Sequence, residues 1–189
     1  AEGLRHLQGD IKGPYVAAST VIFDIFSAES IQVLAMGKTI ALADEEEAKV
    51  PAKLGELIWN SHAAYVQFAA SKLIMCMSNL RFCECIRDVE FVVVCGEPAP
   101  AELAENFARY CKGRLVNLYG PTETTVYVTG IDLEPKGHVS IGTPFPNPRI
   151  HILDEQGRPV FPTSYGEIYI EGDHVTSGYV GRPDLTEEM

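Results

Sequence analysis

The sequence predicts an α/β fold: a doubly wound, largely parallel sheet with flanking helices, followed by part of a small antiparallel β-barrel subdomain. Three observations carry this. Between residues 39 and 119, strand-like runs alternate with helical spacings three times, and such alternation implies parallel strands joined by right-handed crossovers. Glu90-Phe91-Val92-Val93-Val94-Cys95 is apolar without alternation, as a strand covered on both faces requires. Beyond Gly130 the texture changes to proline-rich chain (Pro135, Pro144, Pro146, Pro148, Pro159, Pro162) with short alternating runs. A boundary is therefore expected near residue 130, with an α/β subdomain over 1–130 and a partial barrel over 131–189.

In chain order, residues 25–36 are expected to form a helix and Thr39–Ala43 a short strand. The charge run Asp44-Glu45-Glu46-Glu47 reads as a solvated loop or first helical turn. Residues 50–60 carry Leu54, Leu57 and Ile58 at helical spacing, with Pro51 near the start. Ala64–Phe68 follows as a strand. Residues 71–86 form a helix with Leu73, Ile74, Met77 and Leu80 on one face, and residues 90–95 the next strand. Residues 100–111 form a helix stopped by Gly113, and Leu115–Tyr119 the last parallel strand. Beyond the boundary, 149–153 and 167–171 read as strands, with a turn at Asp154-Glu155-Gln156-Gly157. In an open parallel sheet ligands bind beyond the carboxyl ends of the strands, which directs attention to the loops after residues 68, 95 and 119.

Composition excludes several classes. The chain has 189 residues, 46% of them apolar, and a net charge of −11, so a packed core is expected and binding to nucleic acid is not. No run of about 18 apolar residues suggests a membrane span. The odd set of five cysteines (Cys76, Cys83, Cys85, Cys95, Cys111) has no C-x-x-C spacing, which fits reduced thiols in the cytoplasm. Five scattered histidines (His6, His62, His138, His151, His174) offer no metal-site spacing. Gly37-Lys38-Thr39 is not a P-loop, because Gln32 stands where the first glycine belongs and a strand follows. Neither G-x-G-x-x-G nor G-x-S-x-G occurs.

The chemically informative stretch is Asn117-Leu118-Tyr119-Gly120-Pro121-Thr122-Glu123-Thr124-Thr125. It lies at the carboxyl end of an expected strand. A Gly-Pro turn presents three hydroxyls, which can donate to phosphate oxygens, and a carboxylate suited to Mg²⁺. Tyr119 offers an aromatic face. A polar turn with a satisfied glutamate is the plainer alternative.

That stretch resembles a core motif of adenylate-forming enzymes, in the branch of nonribosomal peptide synthetase adenylation domains. Four more segments agree in order: Phe23-Asp24; Gln67-Phe68-Ala69-Ala70-Ser71; Val94-Cys95-Gly96-Glu97; and Gly166–Gly172 with Gly178-Tyr179 and Arg182-Pro183-x-Leu185-Thr186. The resemblance implies an ATP-dependent, Mg²⁺-dependent ligase that activates an amino acid and loads the phosphopantetheine thiol of a peptidyl carrier domain among neighbouring synthetase domains. Tyr119 would stack on adenine, with Asn117 and the Gly96-Glu97 backbone at its edge. Thr122 would bond the α-phosphate and Glu123 hold Mg²⁺. Asp24, otherwise a helix cap, would pair with the substrate's α-ammonium, and Phe23 would flank the phosphates. Ile25, Ala28, Gln67, Val93, Cys95, Leu118, Val126 and Tyr127 would line the side-chain pocket. None is ionic, so a neutral, mostly apolar amino acid is expected, with Gln67 and Tyr127 able to bond one polar group.

The sequence departs from the family pattern at Phe26, Ala70, His174 and Ser177. The family's Ser/Thr/Gly-rich phosphate loop, ribose-binding Asp and C-terminal Lys are absent, so the chain is expected to be an interior piece, inactive alone. Two other readings stay open: an acyl-CoA ligase of the same superfamily, and a non-catalytic binding module.

Overall fold

The computed structural model describes Gly9 and residues 11–189; His6 lies outside them. The strands are β1 (Tyr15–Ala17), β2 (Ile40–Leu42), β3 (Tyr65–Phe68), β4 (Phe91–Cys95), β5 (Arg114–Tyr119), β6 (Thr129–Asp132), β7 (Thr143–Pro144), β8 (Arg149–Leu153) and β9 (Glu167–Glu171). Among the described residues seven of them form one sheet in the order β2-β1-β3-β4-β5-β6-β7. The pairings from β2 to β5 are parallel, and β6 and β7 join antiparallel. β6 straddles residue 130, where the composition shifts. Separately, β8 and β9 form a two-stranded antiparallel sheet.

The helices are α1 (Asp24–Glu29), α2 (Ile31–Ala35), α3 (Glu45–Lys49), α4 (Pro51–Asn60), α5 (Ala70–Met77), α6 (Leu80–Cys85), α7 (Leu103–Phe107) and α8 (Pro183–Glu187). Two expected helices are broken, each by a small polar residue that competes for backbone groups. Between α1 and α2, the Ser30 hydroxyl donates to Phe26 O at 2.5 Å. Between α5 and α6, Asn79 Oδ1 accepts from Phe82 N at 3.1 Å and starts a new helix. The acidic run is a helical first turn: Asp44 and Glu47 form a reciprocal capping box. Helix α7 ends well before Gly113, which is therefore not its stop. A Cβ at Gly113 would lie 2.0 Å from Val89 O, so this glycine permits close approach of backbone.

Alternation sends each central strand's residues to two cores. Val66, Phe68, Val92 and Val94 face one cluster with Leu54 and Ile58 of α4, Leu73 of α5, Phe82 of α6 and Leu103 of α7. Tyr65, Val93, Cys95, Val116 and Leu118 face the other, with Val33 of α2 and with Ile25 of α1 packed against it. Gln67 belongs by alternation to this second face. Tyr15 stacks on Tyr65 with centroids 4.5 Å apart, and Tyr65 on Phe91 at 5.7 Å. The aromatic ladder fixes the register of β1, β3 and β4.

Candidate functional site

The chain runs from β1 outward to β2, then returns to β3 beside β1 and proceeds the other way to β5. This reversal is a topological switch point, where open α/β sheets leave a crevice outside the strand ends. A cleft of 1130 Å³ lies there, lined from the carboxyl ends of all five parallel strands. It includes Ala69 and Lys72 after β3, Gly96 and Glu97 after β4, and Gly120, Pro121 and Thr122 after β5. These are the three loops indicated by the sequence. It also takes Asp44 after β2, and Ala18–Val21 after β1, which the sequence did not indicate because a three-residue β1 gives no periodic signal.

Asp24 is the first residue of α1 and lines the cleft. Its side chain caps nothing; Phe23 is the N-cap residue and no side chain bonds the helix end. Half-buried, the Asp24 carboxylate meets no hydrogen-bond or ion-pair partner among the described residues. Phe23, 60% exposed, also lines the cleft. Ile25, Cys95, Leu118, Val126 and Tyr127 form an apolar stretch of wall toward β4 and β5. Ala28, Gln67 and Val93 are buried behind the wall rather than on it. Asn117 is buried as well, and its amide donates to Ser140 O at 2.8 Å. Tyr119 and Glu123, at either side of the lining stretch 120–122, are half-buried and outside the wall.

Behind the wall lies a polar network. Gln67 Oε1 accepts from Tyr127 Oη at 2.8 Å and Tyr65 Oη at 3.1 Å, while its Nε2 is buried without a partner among the described residues. Burial pushes the Tyr127 phenol well up, and likewise the Cys95 thiol, to about 11. The loop that delivers Val126 and Tyr127 is held in left-handed backbone: φ is 59° at Thr125 and 83° at Val126. For a β-branched residue this conformation is strained. Thr125 Oγ1, donating to His174 O at 2.6 Å, helps impose it.

Two carboxylates organise the rim. Glu29, 1% exposed, accepts from Ala18 N at 3.0 Å, Ser19 N at 2.9 Å and Ser19 Oγ at 2.9 Å, and so shapes the loop after β1. Burial raises its pKa against these bonds and against Lys72. Glu97 accepts from Ser71 N at 2.5 Å near the start of α5, and the Ser71 bonds hold it below the usual carboxylate range. Glu29 carried no local signal of its role.

Glu123 is tied down from a distance. Tyr179 Oη donates to Glu123 Oε1, and Thr176 N donates to Glu123 O at 2.8 Å. The phenol bond is the main cause of a lowered Glu123 pKa. Among the described residues no group of three or more His, Cys, Asp or Glu could hold a metal, so these residues form no closed cage. A lone ionised carboxylate beside threonine hydroxyls does fit Mg²⁺, which is commonly bound by one or two carboxylates with phosphates and water completing the shell.

Comparison with known proteins decides the family. The model of the AMP-binding enzyme family matches residues 5–180. The chain belongs to that family. Among AMP-binding relatives, Novobiocin biosynthesis protein H of Streptomyces niveus is 43% identical over 108 residues, covering 56% of this chain and 18% of its own length. The dimodular nonribosomal peptide synthase of Bacillus subtilis is 35% identical over 176 residues, covering 92% of this chain and 7% of that protein. The chain thus spans a small part of these relatives. In fold, it superposes on the N-terminal subdomain of Klebsiella oxytoca NpsA, solved with 3-hydroxybenzoyl-AMSN. The TM-score is 0.83 at 20% identity, over 97% of this chain and 46% of that one. Among the described residues of this AMP-binding chain, no helix is long and apolar enough to cross a membrane.

Proposed function

We propose that this AMP-binding chain forms the amino-acid pocket and part of the nucleotide site of an enzyme that makes an aminoacyl-adenylate and transfers the aminoacyl group to a carrier-bound phosphopantetheine thiol. The observation that carries the reading is the Asp24 carboxylate, unpartnered among the described residues, on the wall of a cleft that Pro121 and Thr122 also line. A half-buried carboxylate with no partner favours a bound cation, and the α-ammonium of an amino acid supplies one.

In this reading Asp24 fixes the ammonium end of the substrate. The apolar wall of Ile25, Cys95, Leu118 and Val126 receives a neutral, mostly apolar side chain, with Ala28, Val93 and Gln67 supporting it from behind and the Tyr127 hydroxyl oxygen, its proton given to Gln67, able to accept from one polar group. Thr122 donates to the α-phosphate, where the substrate carboxylate attacks and pyrophosphate leaves. Tyr119 and the Gly96-Glu97 turn hold adenine, and Asn117 acts from behind by fixing the Ser140 carbonyl. Glu123 would hold Mg²⁺, which when bound neutralises charge on the phosphates. Phe23 screens the phosphate region from water. Positioning and charge stabilisation suffice for such transfers, and no nucleophilic side chain is needed.

The test is ATP–pyrophosphate exchange by the full-length protein containing these residues. Neutral amino acids should stimulate exchange, and Asp24→Ala should lower it about 100-fold by leaving the ammonium unpaired. Glu123→Ala should abolish Mg²⁺-dependent exchange. Stimulation by carboxylic acids without an amine, undiminished in Asp24→Ala, would assign the chain to acyl activation instead.

A further inference from the structure

We propose that Tyr179 is a positioning residue for Glu123, its phenol holding one carboxylate oxygen so that the other is presented to the metal ion. The inference rests on the reading of Glu123 as the Mg²⁺-holding residue. Its evidence is the clasp that joins two segments 56 residues apart. Tyr179 Oη donates to Glu123 Oε1. Beside that bond, Thr176 N donates to Glu123 O at 2.8 Å and Thr125 Oγ1 to His174 O at 2.6 Å. Segment 174–179 is thus fastened to Glu123 and to Thr125, two residues further on.

Tyr179 is itself located by the sequence that follows it. Its N–H donates to Thr186 Oγ1 at 2.9 Å, and Thr186 Oγ1 donates to Arg182 O at 3.1 Å. Arg182 N closes the ring by donating to Tyr179 O at 3.1 Å. The run Gly178-Tyr179-x-x-Arg182-Pro183-x-Leu185-Thr186 therefore builds a small closed loop that presents the phenol. Tyr179 is 41% exposed and contributes nothing to either core. What it supplies is the hydroxyl. A phenol donating to an ionised carboxylate makes a charge-assisted bond, and groups that orient a metal ligand this way govern affinity for the metal.

The experiment uses the full-length protein with Tyr179→Phe and Glu123→Gln variants and Mn²⁺ as the probe. Bound Mn²⁺ is counted by electron paramagnetic resonance in the presence of a non-hydrolysable ATP analogue. Separately, Mg²⁺ and amino-acid dependence of pyrophosphate exchange are measured. Tyr179→Phe should weaken Mn²⁺ binding about tenfold and raise the KM for Mg²⁺ while leaving the KM for the amino acid unchanged. Glu123→Gln should weaken Mn²⁺ binding further. Wild-type Mn²⁺ affinity in Tyr179→Phe, with Glu123→Gln impaired, would overturn the role of Tyr179 and leave Glu123 in place. Wild-type affinity in Glu123→Gln would overturn both. Equal rises in both KM values, with Mn²⁺ binding intact, would reduce Tyr179 to a structural contact and also overturn the proposal.

Discussion

Tyr127 donates its hydroxyl to Gln67 Oε1 at 2.8 Å, a bond between residues 60 positions apart that ties the left-handed loop after β5 to the middle of β3. Tyr65 donates to the same oxygen at 3.1 Å. One amide thus satisfies two buried phenols behind the apolar wall of the cleft.

Gln67→Met keeps the volume and removes the acceptor from both hydroxyls. A buried hydrogen bond contributes about 0.5–1.5 kcal/mol, so losing these two should cost about 1–3 kcal/mol in urea unfolding. Tyr127→Phe should cost less, about 1 kcal/mol, since Gln67 keeps its bond from Tyr65. The double variant should cost less than the sum of the two, because each change removes the same bond. Strict additivity would mean that the Tyr127–Gln67 bond contributes nothing.

The buried Glu29 predicts a pH dependence of opposite sign to that of a surface ion pair. Its pKa is raised in the folded chain from 4.5 because burial outweighs its bonds to Ser19 and Ala18. Between 4.5 and that raised value the folded state binds more protons than the unfolded one, so stability falls as pH rises through the window. Glu29→Gln retains an acceptor for Ala18 N and Ser19 N and an amide that can donate to Ser19 Oγ, yet cannot ionise. Relative to Glu29→Gln, the wild-type chain should lose stability from pH 4.5 upward, as followed by denaturant midpoints across pH 4–8. A flat difference would show that Glu29 does not titrate within that range.

Much of this arrangement was legible in sequence, and the limits have physical causes. β3, β4 and β5 are apolar runs buried on both faces, and the parallel-sheet rule then pointed to the loops after Phe68, Cys95 and Tyr119 that line the cleft. β1 was not legible, because three residues carry no period. The breaks at Ser30 and Asn79 depend on local side-chain bonds that apolar spacing does not register. Thr125 and Val126 sit in backbone that their own side chains disfavour; contacts with a segment 49 residues away hold it. Glu29 lies on a helix in a polar stretch, and only the folded chain brings Ala18 and Ser19 onto its carboxylate.

The five thiols supply a prediction that separates the cleft from the core. All are free and buried. Burial lifts Cys76, Cys95 and Cys111 to about 11, and raises Cys83 and Cys85 as well. The thiolate is the reacting species, so at pH 8 a thiol near 11 presents about a hundredfold less of it than an ordinary thiol. Cys76, Cys95 and Cys111 of the native protein should therefore react with an aromatic disulfide reagent about two orders of magnitude more slowly than the same thiols in denaturant. Among the five, Cys95 lines the cleft, whereas Cys76, Cys83 and Cys111 sit in the opposite core cluster. The labelling of Cys95, read by peptide mass mapping, should thus respond to occupancy of the cleft. A ligand seated against Ile25 and Leu118 should slow that labelling and leave the others unchanged. Fast native labelling of Cys76 or Cys111 would mean that the helical layer over that face opens before the cleft does.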